Sequence, residues 1–299
     1  MAGRDRQSHT VKVSVLEPSS PSAPGVLEQN LIGIRERGIQ VDVMTYDVQA
    51  GERLETSGVR ERGRMLSAAL LESSCDYVVA ARGGYGASDL LRCLDWPALA
   101  EIPAKMMVGF SDITALQAAF YTRLGWSGLH GPMPGSTLWG KGPDVTALLE
   151  LLNKERPWSG SISVNQVSSG VPPEDLSGTL FGGCLSVLSN LIGTGFLPGS
   201  LSGHVLYLED TRESAARVLR YWNQWLDSGV VDGATALVLG RFTELEGDQD
   251  EDWLIQTLTS RSPLPVFRSQ DFGHVTPNMP LALGAQASIV GGTLTWSLA

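Results

Sequence analysis

Short apolar runs alternate with amphipathic segments through the first half of the chain. Residues 11–16 (VKVSVL) read as a buried strand, and Leu27, Leu31 and Ile34 recur at helical spacing over 27–37, where Gly38 supplies a stop. Residues 39–44 alternate as a strand and 59–71 as a helix. Residues 77–81 (YVVAA) form a strand running into glycines. Residues 106–110 (MMVGF) form another, followed directly by a helix over 113–124. This alternation predicts an α/β fold whose parallel sheet is covered by helices on both faces. Ligand sites in such sheets lie beyond the carboxyl ends of the strands. The loops after Ala81 and Phe110 fall at that edge.

The pattern breaks between Asn153 and Gly178, where proline, serine and glycine mix without helical period. A short strand over 161–164 is the element expected there. Beyond it follow a helix near 184–192, a strand HVLYL, a long helix over 214–226, a strand ALVLG, a helix near 253–258 and short strands to the end. The expected organisation is an α/β nucleophile domain over 1–155, a linker over 156–178, and a smaller mixed α/β C-terminal domain over 179–299.

Charge and composition narrow the classes. The 299 residues carry 32 acidic and 22 basic side chains, a net −10, with no basic cluster. That argues against a nucleic-acid partner. No apolar run reaches the roughly 18 residues of a membrane span, and no signal peptide opens the chain, so a cytoplasmic protein is expected. Cys75, Cys93 and Cys184 form no CxxC pair and read as buried thiols. No HxxH or HExxH spacing exists, so neither a metal nor another cofactor is expected.

The candidate chemistry sits in four places. In VGFSDITAL, a strand ends, Gly109 precedes Ser111 by two, and a helix begins at once. That is the geometry of a nucleophile elbow, in which the helix N-terminus faces a developing oxyanion. Ile113 stands where a second glycine would complete the motif, and Ser111 or Asp112 could equally be a plain helix cap. In ARGGYGASDLL, Gly83 and Gly84 let a ligand approach the backbone, as an anion or oxyanion loop or as a bland turn. Of the four histidines, His9 lies in the leader, His130 at a strand end, His204 at a strand start and His274 in a polar loop. A serine nucleophile needs such a base, and the base a carboxylate to orient it. His274 has the best loop context. Glu209 and Asp210 end the apolar strand of LYLED, where Glu209 could orient an imidazole or both acids could cap the next helix, a role that suits Asp210 better than Glu209.

Taken together, ARGGYGASDLL, GFSDITAL, HGPM, GTLFGGCLSVLSNLIGT, LYLED, DFGH and PLALG resemble the murein LD-carboxypeptidases, a serine peptidase family that includes the microcin-C immunity peptidases. The resemblance spans nearly the whole chain in order. It implies a metal-free Ser–Glu–His triad made of Ser111, Glu209 and His274, with Glu213 as a minor rival for the carboxylate. It implies oxyanion donors at the backbone N–H groups of Asp112 and Gly84. It implies a site in the cleft between two domains and a homodimer. The substrate implied is a murein tetrapeptide losing its terminal D-alanine in peptidoglycan recycling, and Arg82 is the candidate cation for its free carboxylate. Cys184 departs from the family, which reads GGN where this chain has Gly182-Gly183-Cys184. Two alternatives remain. One is an immunity-type peptidase hydrolysing acylated aminoacyl-nucleotides, and the other a non-catalytic small-ligand module.

Overall fold

The computed structural model describes residues 10–44, 52–140, 142–170 and 176–299. The first half builds a largely parallel sheet. Its strands are β1 (Lys12–Leu16), β2 (Gln40–Met44), β3 (Tyr77–Ala80), β4 (Met106–Val108) and β5 (Gly128–His130). Between them run helices α1 (Val26–Glu36), α2 (Thr56–Leu71), α3 (Ala87–Leu90), α4 (Trp96–Ala100) and α5 (Thr114–Leu124), and α6 (Pro143–Leu152) follows β5. Alternating side chains explain the layers. Val13, Val15, Val79 and Val108 share one core with α1 and α6, while Leu16, Val78, Ala80 and Met107 share the other with α2 and α5. Helices therefore cover both faces, and the central strands β3 and β4 are apolar on both of theirs.

The second half forms a mixed sheet. Its strands are β6 (Ser159–Ser163), β7 (Asn165–Gln166), β8 (Leu176–Cys184), β9 (His204–Thr211), β10 (Ala236–Thr243) and β11 (Val266–Arg268). Its helices are α7 (Leu185–Ser189), α8 (Ala215–Asp227) and α9 (Glu251–Arg261). The chain closes with β12 (Leu281–Leu283), β13 (Gln286–Val290) and β14 (Thr293–Ser297). The spatial order is β6-β14-β13-β8-β9-β10-β11-β7, parallel from β8 to β11 and antiparallel at both ends. Residues 156–178 thus carry β6, β7 and the start of β8. Pairing with β14 recruits β6, whose Ile162 is buried while the serines beside it point outward.

Two features position the site. Strand β12 leaves the second half and pairs antiparallel with β5 at the edge of the first sheet, Leu281 opposite His130. Each apolar core also runs through both sheets, with Leu206, Leu208 and Leu239 in one and Tyr207 and Val238 in the other. The expectation of three buried thiols needs one correction. Cys75 and Cys184 are buried, but Cys93 is exposed, because the turn after α3 carries it outward past Gly63 of α2. Among the described residues no helix is long and apolar enough to cross a membrane.

Candidate active site

Ser111 stands at the junction of β4 and α5. Gly109 takes φ 153°, and a Cβ there would press within 3.0–3.2 Å of Ile113 and Ala80. Glycine is required at this close crossing. Ser111 itself has φ 63°, a left-handed conformation that costs an ordinary residue about 1–2 kcal/mol. A strained non-glycine residue held at a strand–helix turn is the local signature of a nucleophile elbow. A single 3₁₀ turn over Ser111–Ile113 then leads into α5. The Asp112 N–H lies in that first turn, where backbone donors lack intrahelical partners. The Asp112 side chain turns away and accepts hydrogen bonds from Ser19 Oγ at 2.6 Å and Ala87 N at 2.8 Å. Burial pushes its carboxyl above the usual range, against the pull of those two donors.

The glycine loop closes over the serine. A Cβ on Gly83 would lie 2.9 Å from Ser111 Cβ and 3.1 Å from its Oγ, so Gly83 is the glycine apposed to the serine. The Gly83 carbonyl accepts from Ser20 N at 3.2 Å. In a trans peptide this turns the Gly84 N–H away from Ser20. Arg62 holds the far side of the loop, fully buried on α2. Its guanidinium donates to the carbonyls of Gly86 and Arg53 at 3.0 Å and of Pro18 at 2.5 Å. Arg53 donates in turn to the Glu17 and Ser19 carbonyls. The sequence reading did not single out Arg62. Its signal is a charge in line with Leu66 and Ala69, on the apolar face of an amphipathic helix.

The second half supplies an imidazole and a carboxylate. His274 Nε2 lies 2.9 Å from Ser111 Oγ, and its Nδ1 lies 2.7 Å from Glu209 Oε2. Glu209 is fully buried on β9, and the His274 side chain is partly buried, 16% exposed. The Phe110 ring packs 4.9 Å from the imidazole. Burial alone would lower the His274 pKa, but the Glu209 charge and hydrogen bond outweigh it and hold the ring above its ordinary 6.5. Asp210, next on β9, faces the other way. It accepts from Ser186 N at 2.7 Å at the start of α7, and Cys184 Sγ approaches it at 3.4 Å. Burial, reinforced by neighbouring Glu209, pushes its pKa up to about 6.

The remaining candidates lie elsewhere. Glu213 pairs with Arg217 Nε at 2.8 Å instead of meeting the imidazole. His204 bonds Tyr121 Oη at 3.0 Å, and His130 bonds Asn278 Oδ1 at 3.0 Å. His9 lies outside the described residues. Arg82 donates from Nη1 to the Pro21 carbonyl at 2.9 Å and is otherwise exposed. Among the described residues, no three His, Cys, Asp or Glu side chains gather as a metal-holding group. A hydroxyl, an imidazole and a buried carboxylate in line, beside a helix N-terminus, can perform acyl transfer.

Comparisons with known proteins point to carboxypeptidases. Residues 13–131 match the LD-carboxypeptidase N-terminal domain, and residues 177–289 match the LD-carboxypeptidase C-terminal domain. A Streptomyces coelicolor protein with a provisional carboxypeptidase name is 32% identical over 96% of this chain and 93% of its own. The murein tetrapeptide carboxypeptidase of Pseudomonas aeruginosa is 27% identical over 95% of each chain. The crystal structure of muramoyltetrapeptide carboxypeptidase from Oxalobacter formigenes superposes with a TM-score of 0.82 at 27% identity, covering 96% of this chain and 99% of that one. The microcin C7 self-immunity protein of Escherichia coli is 25% identical over 77% of this chain and 76% of its own.

Proposed function

The chain belongs to the LD-carboxypeptidase family of peptidases, and from that premise we propose that it is a serine-type carboxypeptidase releasing the terminal D-alanine of murein tetrapeptides. The observation that carries the serine mechanism is the unbroken line from Ser111 Oγ through the His274 ring to Glu209 Oε2, at 2.9 and 2.7 Å. Ser111 Oγ attacks the scissile carbonyl as His274 Nε2 takes its proton. Glu209 stabilises the imidazolium, which then protonates the leaving D-alanine amine. Water repeats the cycle on the acyl-enzyme. The N–H groups of Asp112 and Gly84 receive the oxyanion, where each donor contributes on the order of 100-fold or more in rate. The remaining guanidinium donors of Arg82 bind the substrate's free carboxylate. The domains are those bounded at 155 and 179.

The test is mass spectrometry of the purified protein mixed with murein tri-, tetra- and pentapeptides. Loss of one alanine from the tetrapeptide is expected, unaffected by EDTA because the mechanism uses no metal. An unchanged tetrapeptide would remove the substrate assignment, and inhibition by EDTA that zinc reverses would remove the metal-free mechanism.

A second reading, hydrolysis of an acylated aminoacyl-nucleotide, is favoured by Tyr85, whose ring is 57% exposed two residues beyond Gly83 and could stack on a base. Cleavage of such a compound in preference to the tetrapeptide would select it. On the first reading the enzyme works in the cytoplasm as a homodimer. Light scattering at micromolar concentration is expected to give twice the 32.0 kDa chain mass, and a monomer mass would count against the dimer.

A further inference from the structure

Strand β5 ends on His130, whose side chain is fully buried behind the site. Its ring stands 5.5 Å from Phe110, the residue before Ser111, and 6.2 Å from Phe272, two residues before His274. Its Nε2 lies 3.0 Å from Asn278 Oδ1, and the Gly273 N–H donates to the same oxygen at 3.1 Å. The Asn278 N–H donates to Asp144 Oδ2 at 2.9 Å, in the first turn of α6. One asparagine oxygen therefore joins the residue before His274 to the first half of the chain, and the asparagine backbone is tied to a helix of that same half.

The donors fix the tautomer. Gly273 N–H can only donate, so the Asn278 atom it meets is the carbonyl oxygen. That oxygen can only accept, so His130 carries its proton on Nε2. Burial lowers the His130 pKa, although the Glu209 charge and the Asn278 bond oppose it, which favours the neutral ring. A neutral ring does not compete with His274 for the Glu209 charge.

Resting on the serine mechanism above, we propose that His130 is a positioning residue. Its Nε2–H and the Gly273 N–H converge on Asn278 Oδ1 to hold the His274 loop at the distance that Ser111 requires. The base stands on a loop, beside a glycine at φ 124°, and no regular element of its own fixes it. Displacing a reacting group by about 1 Å can cost on the order of 100-fold in rate. The competing view is that His130 only fills space among Phe110, Tyr207 and Phe272.

Conservative variants of the full chain separate the two. His130→Phe keeps the ring and removes the donor. Its kcat on the tetrapeptide and its rate of labelling by a fluorophosphonate probe are expected to fall about 10- to 100-fold, with KM changed less than about twofold, since the bond acts on the reacting group and not on ground-state binding. His130→Gln brings an amide nitrogen to the place of Nε2 and should restore most of the rate. His130→Asn brings it to the place of Nδ1 and should not. Wild-type labelling and turnover in His130→Phe, a loss carried by KM, or a His130→Gln no better than His130→Asn would each overturn the proposal. Nitrogen-15 NMR of the unmodified protein tests it even where His130→Phe does not fold. A neutral Nε2–H tautomer is expected for His130, and an Nδ1–H tautomer would overturn the latch. If Ser111→Ala retained turnover, the serine mechanism would fail. If Ser111→Ala is inactive while His130→Phe matches wild type, the positioning role alone fails.

Discussion

Ser111→Ala is expected to lower kcat by about 10,000-fold or more while leaving the circular dichroism spectrum and substrate binding intact. The serine oxygen forms its decisive bond only in the transition state, so its loss appears in kcat and not in KM. The residual rate would come from the oxyanion donors and from substrate binding. The backbone gives a second, independent readout at the same position. Ser111 sits at φ 63°, where alanine keeps the left-handed strain and glycine does not. Ser111→Gly should therefore be equally inactive yet more stable than Ser111→Ala, by up to about 1 kcal/mol after the flexibility of glycine in the unfolded chain is counted. Chemical denaturation of the two variants measures the difference. Near-wild-type turnover in either one would end the serine mechanism. Glycine less stable than alanine would contradict the strained elbow without touching the chemistry.

Glu209→Gln is the second large effect, with kcat expected to fall about 1,000- to 10,000-fold at neutral pH. The carboxylate accepts from His274 Nδ1 at 2.7 Å and is itself fully buried. Glutamine keeps the volume and removes the charge that stabilises the imidazolium. Its amide can also present N–H to Nδ1 and select the wrong tautomer. The pH profile gives the sign. In the wild type the His274 pKa lies above 6.5 because the Glu209 charge outweighs burial. The base is active when neutral, so the acid limb of kcat/KM should fall above pH 6.5. In Glu209→Gln, burial remains and the charge is gone, so that limb should move to lower pH. The same group contributes to stability. The part held by the protonated ring is complete below pH ~6.5 and fades as the pH climbs through the folded value. An unchanged kcat, or a limb shifted to higher pH, would remove Glu209 from the mechanism.

The position of His274 also ties the two halves of the chain together. Strand β12 follows the His274 loop directly and pairs with β5, and Asn278 reaches both His130 and Asp144. The imidazole is carried by the second half but anchored to the first. On the other side of the serine, Asp112 ties the elbow to Ser19 and Ala87, and Arg62 ties the glycine loop to the chain after β1.

The sequence alone determined most elements of the first half and offered the Ser111 turn as either an elbow or a helix cap. Buried parallel strands are short continuous apolar runs, and helices repeat near every 3.6 residues, so β1 to β4 and helices α1, α2 and α5 are written locally, while the short α3 and α4 span too few residues to show a period. The glycine two residues before Ser111 and the helix starting beside it are likewise neighbours in the chain. The ordered motifs carried the family and with it the candidates Ser111, Glu209 and His274. Only the tertiary structure decided how they meet. Strand alternation puts Glu209 on one face of β9 with Tyr207 and Asp210 on the other with Leu208, but it does not say which face an imidazole will approach. The packing of the two sheets sets that face, bringing His274 to Ser111 across 163 residues and to Glu209 across 65. The same limit hid the partner of β6, expected as a strand over 161–164 but placed only by pairing with the C-terminal β14, and the crossing of β12 to the other sheet. It also hid Arg62 and the partner of His130, since their contacts are backbone carbonyls and an amide supplied by distant segments. Periodicity records which side of an element is buried, and the partner waiting on that side is known only once the chain has folded.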